Sequence, residues 1–221
     1  MRQVDFDALR ENMIQEHLIA RGIHDEQVIA AFRAVPRHAF VPEEQRHLSY
    51  EDHPLLIGQN QTISQPYIVA YMLECLGLKG SERVLEIGTG SGYLTALLAR
   101  LGHEIFTVER HESLLREAQK VLVDLGIENV RYFLGDGTLG VPSFAPYQAE
   151  IVSAAAPKLP PTLVQQLDEG GRLVIPIKTP NKPREQMLWR ISRRNNKPIF
   201  EKLMAVAFVP LIGAYGYTSE E

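Results

Sequence analysis

Along the chain, short apolar runs alternate with longer stretches in which apolar positions recur every third or fourth residue. The runs at 83–87, 105–109, 130–134 and 149–153, and a fifth closing the segment 167–176, predict buried strands. Helical spacing at 94–101, 113–125 and 161–167 places helices between them. In the second of these, Leu114, Leu115, Ala118, Val121, Leu122 and Leu125 share one face. Alternating strands and helices predict an α/β, doubly wound sheet with right-handed crossovers. A ligand site then belongs at the carboxyl ends of the strands.

Both flanks depart from that rhythm. Phe6, Leu9, Met13 and Leu18 predict a helix with Asp5 as its N-cap and Gly22 as its stop. Asp25 is placed to cap a second helix carrying Val28, Ile29 and Phe32, which Pro36 ends. This N-terminal helical extension reads as a lid or brace, too short to be a domain. At the other end, 187–191 and 200–209 read as C-terminal antiparallel strands around the basic turn 192–198. That turn lacks interleaved aromatics and reads as solvated. The loop 178–184 is expected to be exposed and the tail 218–221 frayed.

The segment 52–66 is expected to be a long functional loop ahead of a helix. Ser64 followed by Pro66 predicts the helix start with Ser64 as N-cap, and Ile68, Val69, Met72 and Leu76 continue one face. A cap and a ligand contact are compatible roles for Ser64.

The first buried strand runs into Glu86-Ile87-Gly88-Thr89-Gly90-Ser91-Gly92-Tyr93. A tight glycine turn that opens a helix lets a ligand approach the backbone and meet free N–H groups. A dinucleotide fingerprint needs glycine where Tyr93 stands, and a pyrophosphate would be repelled by Glu86. An acid there suits a cationic or hydroxyl-bearing ligand. The second strand ends in Glu109, 23 residues after Glu86, where an acid can accept from a ribose diol. Arg110 follows, to stack near the ligand or pair with an acid. Gly135-Asp136-Gly137 ends the third strand and reads either as a turn or as a ligand contact.

The E-x-G-x-G-x-G turn resembles motif I of the class I S-adenosylmethionine-dependent methyltransferases, whose fold is Rossmann-like. That resemblance makes Glu86, Gly88, Thr89, Gly90, Gly92, Glu109, Arg110, Asp136 and Gly137 candidate cofactor-binding residues, with Asp136 toward the adenine. The 221 residues then form one methyltransferase domain, with the helical extension at 1–50, the cofactor-binding core at 51–180 and the C-terminal strands at 181–221.

Composition narrows the partners. A net charge of −4 argues against a nucleic-acid partner. The single cysteine, Cys75, excludes an internal disulfide and offers no metal-ligand spacing. No metal is expected. No apolar run reaches the length of a membrane span, and no signal-peptide core opens the chain, so no membrane partner and a cytoplasmic location are expected.

The segment Pro54-Leu55-Leu56-Ile57-Gly58-Gln59-Asn60-Gln61-Thr62-Ile63-Ser64-Gln65-Pro66 resembles the signature P-L-P-I-G-x-G-Q-T-I-S-x-P of the protein-L-isoaspartate O-methyltransferases. Leu56 stands for a proline and Asn60 for a glycine, and Asn tolerates left-handed backbone. The G-D-G turn, the L-x-x-G-G-x-L-V-x-P segment at 167–176 and Phe208-Val209-Pro210-Leu211 follow in family order. The resemblance implies methyl transfer from S-adenosyl-L-methionine, giving S-adenosyl-L-homocysteine. It implies as substrate the free α-carboxylate of L-isoaspartyl residues in damaged proteins and peptides, which starts repair through a succinimide. It makes Ser64 the candidate catalytic residue, in a positioning role, and Thr62, Ile63, Val209 and Pro210 the candidate substrate contacts. The protein is expected to act as a monomer. Two other readings use the same motifs: a methyltransferase for a small molecule, and a non-catalytic binding module.

Overall fold

The computed structural model describes residues 4–180, 182 and 185–218. The expected loop at 178–184 and frayed tail at 218–221 lie partly outside the described residues.

Seven strands form one sheet: β3 (Arg83–Ile87), β4 (Glu104–Glu109), β5 (Val130–Leu134), β6 (Tyr147–Val152), β7 (Leu167–Lys178), β8 (Gln186–Arg194) and β9 (Lys197–Val206). Their spatial order is β5-β4-β3-β6-β7-β8-β9. The pairs from β5 to β7 are parallel, and β7-β8-β9 is an antiparallel meander. The β8–β9 turn narrows to Asn195 and Asn196, both left-handed at φ 51° and 59°. The chain leaves β3 toward β4 and returns to β3's other side with β6. The crevice between those two strands is therefore the topological switch point.

The two faces of the sheet are covered unequally. One carries α3 (Pro66–Leu76), α4 (Tyr93–Leu101) and α5 (Glu112–Asp124). Over these packs the extension, with α1 (Phe6–Met13) and α2 (Glu26–Ala34), through Leu18, Val28 and Phe32. The other face is covered by the short α6 (Pro161–Gln166), the turns at Gly137–Leu139 and Pro142–Phe144, and aromatics around Phe106. Each fully buried Leu, Ile or Phe in these layers contributes about 1.5–3 kcal/mol of transfer free energy. Asp5 and Asp25 cap their helices as expected, accepting from Ala8 N at 3.0 Å and Gln27 N at 2.9 Å. Among the described residues no helix is long and apolar enough to cross a membrane.

The segment expected to be structureless folds as a hairpin. β1 (Leu55–Gly58) pairs with β2 (Gln61–Ile63), and the two-residue turn between them holds Gln59 and Asn60 at φ 50° and 55°. Leu55, Ile57 and Ile63 are buried while Leu56 faces solvent, so the strand alternation is present over too few residues to stand out in the sequence. The helix after it begins at Pro66 with Gln65 at the cap position and no side-chain cap. Ser64 is thus not the N-cap. Asp52 does that work from a distance, accepting from Tyr67 N at 3.3 Å and from the Gln65 side chain at 2.7 Å.

Glu150 sits on the central strand β6, between Leu85 and Leu173, fully buried with neither oxygen hydrogen-bonded. Burial raises its pKa well above the ordinary carboxylate value. The group is therefore protonated when folded and ionised when unfolded near neutral pH. A raised folded pKa adds stability that is complete below the unfolded pKa and fades as pH climbs toward the folded one. Denaturant midpoints are expected to fall from pH 5 to pH 8. Glu150→Gln, which cannot ionise, should start lower at pH 5 and fall less steeply. Parallel curves for the two proteins would contradict a neutral Glu150.

Candidate functional site

The site is built where β3 ends. Gly88, Gly90 and Gly92 all take positive φ, at 93°, 54° and 87°, which the turn requires of alternate residues. At Gly92 space is short as well: a Cβ there would lie 3.0 Å from that of Ala118. The turn is fixed by two acids. Glu109, at the end of β4, accepts from Gly90 N at 3.0 Å through Oε2 and from Arg110 N and His111 N at 2.8 and 3.0 Å through Oε1. One lone-pair position on Oε2 stays free at the cleft wall.

Glu86 works from behind. Its Oε2 accepts from Thr95 Oγ1 at 2.6 Å and Thr107 Oγ1 at 2.7 Å, and Thr107 in turn meets Thr89 Oγ1 at 2.6 Å. All four residues are buried, and burial pushes Glu86 up to about 8. Glu86, expected as a cofactor contact, is fully buried behind the turn and braces it through three hydroxyls.

A cavity of about 610 Å³ opens in front of the turn. Thr62 and Ser64 wall it from the hairpin side, Gly88, Gly90, Glu109, Arg110 and Gly137 from the strand ends, and Val209 and Pro210 from the segment after β9. A smaller recess of about 40 Å³ adjoins it, with Thr62, Ile63, Ser64 and Thr89 around it. Gly92 borders neither and serves the turn and its packing on α5. Gly137 is required for close approach, since a Cβ there would lie 2.3 Å from Ile87 Cγ2.

Asp136 stands between Gly135 and Gly137, which both line the cavity. Its Oδ1 accepts from Thr138 N and Thr138 Oγ1 at 2.8 and 2.6 Å, and its Oδ2 accepts from Ala214 N at 2.7 Å. It caps the turn after β5 and ties down the C-terminal loop. Several lining residues were not signalled by the sequence. Arg21, from the extension, reaches the cleft mouth, paired with Asp52 and stacked 3.7 Å from the Tyr67 ring centre. Met204 joins Phe208 and Val209, which the Phe208-Val209-Pro210-Leu211 segment had signalled, on the far wall. No sequence spacing links these residues to the turn.

Ser64 borders the cavity, and its backbone carbonyl accepts from Arg37 Nη2 at 2.8 Å. Among the described residues no histidine or carboxylate is hydrogen-bonded to its hydroxyl, so nothing activates it as a nucleophile. Nor do the described residues hold a cluster that could bind a metal. The cavity therefore offers hydroxyl and backbone donors on one wall, a carboxylate acceptor on another and an apolar third side.

The model of the family described as protein-L-isoaspartate(D-aspartate) O-methyltransferase matches residues 9–216. A "Protein-L-isoaspartate O-methyltransferase 2" from Pelobacter propionicus is 54% identical over 94% of this chain and 92% of its own length. A protein-L-isoaspartate O-methyltransferase from Opitutus terrae is 51% identical over 91% of this chain and 85% of its own. A solved protein-L-isoaspartate O-methyltransferase superposes with a TM-score of 0.84 at 32% identity, covering 94% of this chain and 67% of that one. A Plasmodium falciparum structure described as such an enzyme, in complex with S-adenosyl-L-homocysteine, superposes at 0.80 with 27% identity, covering 95% and 99%.

The free acceptor position on Glu109 gives a direct test. Glu109→Ala removes both the brace on Gly90 and that acceptor. Titration calorimetry should show S-adenosyl-L-homocysteine binding about 10-fold weaker or more, the size of a lost charged hydrogen bond. Affinity equal to the parent would remove Glu109 from the cofactor wall.

Proposed function

Because the chain belongs to the protein-L-isoaspartate(D-aspartate) O-methyltransferase family, we propose that it methylates the free α-carboxylate of L-isoaspartyl residues in damaged proteins and peptides, with S-adenosyl-L-methionine as donor. One observation carries the reading: Thr62 and Ser64 of the signature hairpin share a cavity with Gly88, Gly90 and Glu109 of the cofactor turn.

The residues fit a cofactor of this kind. The glycine turn leaves a cradle that side chains would fill, with a Cβ on Gly90 already 3.4 Å from Ile57 Cδ1. Glu109 keeps an acceptor for a hydroxyl. When bound there, S-adenosyl-L-methionine supplies a methyl group already activated on a sulfonium.

The chain's own task is placement. A peptide α-carboxylate has a pKa of about 3.5 and is ionised near neutral pH, so no general base is required. The cleft must take that carboxylate out of bulk water and align it, since orientation and desolvation carry the rate. Donors that grip it too tightly would blunt its attack. A single hydroxyl from Ser64 holds it weakly enough. Thr62, Ile63, Val209 and Pro210 shape the substrate side, and Arg110 stands at the cofactor side. An isoaspartyl residue runs its backbone through the β-carbon, so the free α-carboxylate projects from the chain as a side chain would. Recognition then needs a cleft for extended backbone and little reading of neighbouring side chains. The methyl ester recloses to the succinimide without further help, and hydrolysis returns some normal aspartate.

This proposal includes a monomeric protein without a nucleic-acid partner. The net charge of −4 supports the absence of a nucleic-acid partner. A single cysteine fits a cytoplasmic setting.

The decisive experiment uses labelled S-adenosyl-L-methionine and two peptides that differ only in isoaspartate or aspartate at one site. Label is expected in the isoaspartyl peptide alone, released as methanol by mild base. Ser64→Ala should lower kcat by about 10- to 100-fold, as misplacement of a reacting group does. Unlabelled peptides alongside intact cofactor binding would favour a small-molecule acceptor, and no cofactor binding would favour a binding module.

A further inference from the structure

Among the described residues Arg37 is one of the largest fully buried side chains. It lies on the turn after Pro36, in the N-terminal extension, where a buried cation normally demands a carboxylate partner. None is hydrogen-bonded to it. Its fork instead spans two backbone carbonyls: Nε donates to Ser49 O at 2.7 Å and Nη2 to Ser64 O at 2.8 Å. Its guanidinium carbon lies 4.9 Å from the ring centre of Tyr93. Nη1 and the Tyr93 hydroxyl are both buried, and the two side chains attract each other without a well-formed hydrogen bond.

The partners explain why so costly a group is placed there. Ser64 is the signature residue at the cleft. Tyr93 is the first residue of α4, directly after Gly92 of the cofactor turn. Phe32 and Phe40 clasp the same ring edge-on at 6.0 and 5.6 Å. Ser64 itself is not pinned by capping α3, since Asp52 serves that helix start. The hold on its carbonyl comes from Arg37. Burial lowers the pKa of Arg37 only to about 10, so it remains a cation at neutral pH.

We propose that Arg37 is a positioning residue for methyl transfer: by gripping the Ser64 carbonyl from behind the cleft, it sets where the Ser64 hydroxyl meets the substrate carboxylate. The inference rests on the role given above to Ser64. It assigns the extension a part in the reaction beyond bracing. Only a planar fork reaches both carbonyls at once, so lysine is not an equivalent.

The test is a cycle on the full chain, with Arg37→Lys and Arg37→Met made in the parent and in Ser64→Ala. Measured are kcat and KM on the isoaspartyl peptide, S-adenosyl-L-homocysteine affinity by calorimetry, and the thermal midpoint. Arg37→Lys keeps the charge but not the fork that spans both carbonyls, and it carries the test if Arg37→Met does not fold. Arg37→Lys should bind S-adenosyl-L-homocysteine within about 3-fold of the parent while kcat falls by about 10-fold. In Ser64→Ala the same change should lower kcat by less than about 3-fold, because coupled residues do not add. Equal losses in both backgrounds would overturn the proposal and leave Arg37 as a fold element. So would an unchanged kcat in folded Arg37→Lys. If Ser64→Ala alone leaves kcat intact, the role of Ser64 has failed, and that single variant reports it separately from the cycle.

Discussion

The hydrogen bond from Gly90 N to Glu109 is the contact on which the site depends. It joins the turn after β3 to the end of β4. A glycine turn is soft by composition, and three positive φ angles in five residues leave it many other conformations. Glu109 in front and the Glu86–Thr107–Thr89 hydroxyl chain behind select one of them. The hairpin then packs Ile57 against Gly90, and the substrate side is placed relative to the cofactor side. Without that bond the cleft would keep its walls but lose their register.

Polar groups inside the sheet serve this arrangement at some expense of stability. Glu86 has three hydroxyls in its chain yet one oxygen unpaired, and Glu150 has neither paired. Leaving such groups unsatisfied costs roughly 1–3 kcal/mol each when neutral, and more when charged. For Glu86 there is a return, because its bonds order Thr89 and Thr95 on either side of the turn. For Glu150 the structure shows no partner and no contact with the cleft, and we have no physical account of its selection.

The centre of the sheet was legible because β3, β4 and β6 are buried on both faces and read as continuous apolar runs, whereas β5, expected to be buried, is an edge strand with no fully buried residue. Strand ends were placed well where an acid marks them: β3 ends at Ile87, one residue after Glu86, and β4 ends at Glu109 itself. The hairpin was not legible as strands. With four and three residues, it is shorter than the window that shows alternation, and its turn uses Gln59 with positive φ in place of glycine. The acids divided differently. Glu109 faces the cavity, while Glu86 and Asp136 turn their carboxylates into protein. Spacing places a side chain at a strand end but does not say which way it turns. Nor does it reveal partners 27 or 78 residues away, such as Arg37 for Ser64 and Ala214 for Asp136.

The tie between Asp136 and Ala214 has a consequence for synthesis. Chains leave the ribosome N-terminus first, at about 5–20 residues per second. The glycine turn, the hairpin and all five parallel strands are therefore made before the segment from Met204 to Ala214 exists. That late segment supplies the apolar wall and fastens the turn after β5. A nascent chain holding the whole parallel sheet still has an open cleft, and the site is completed only once this later segment is made.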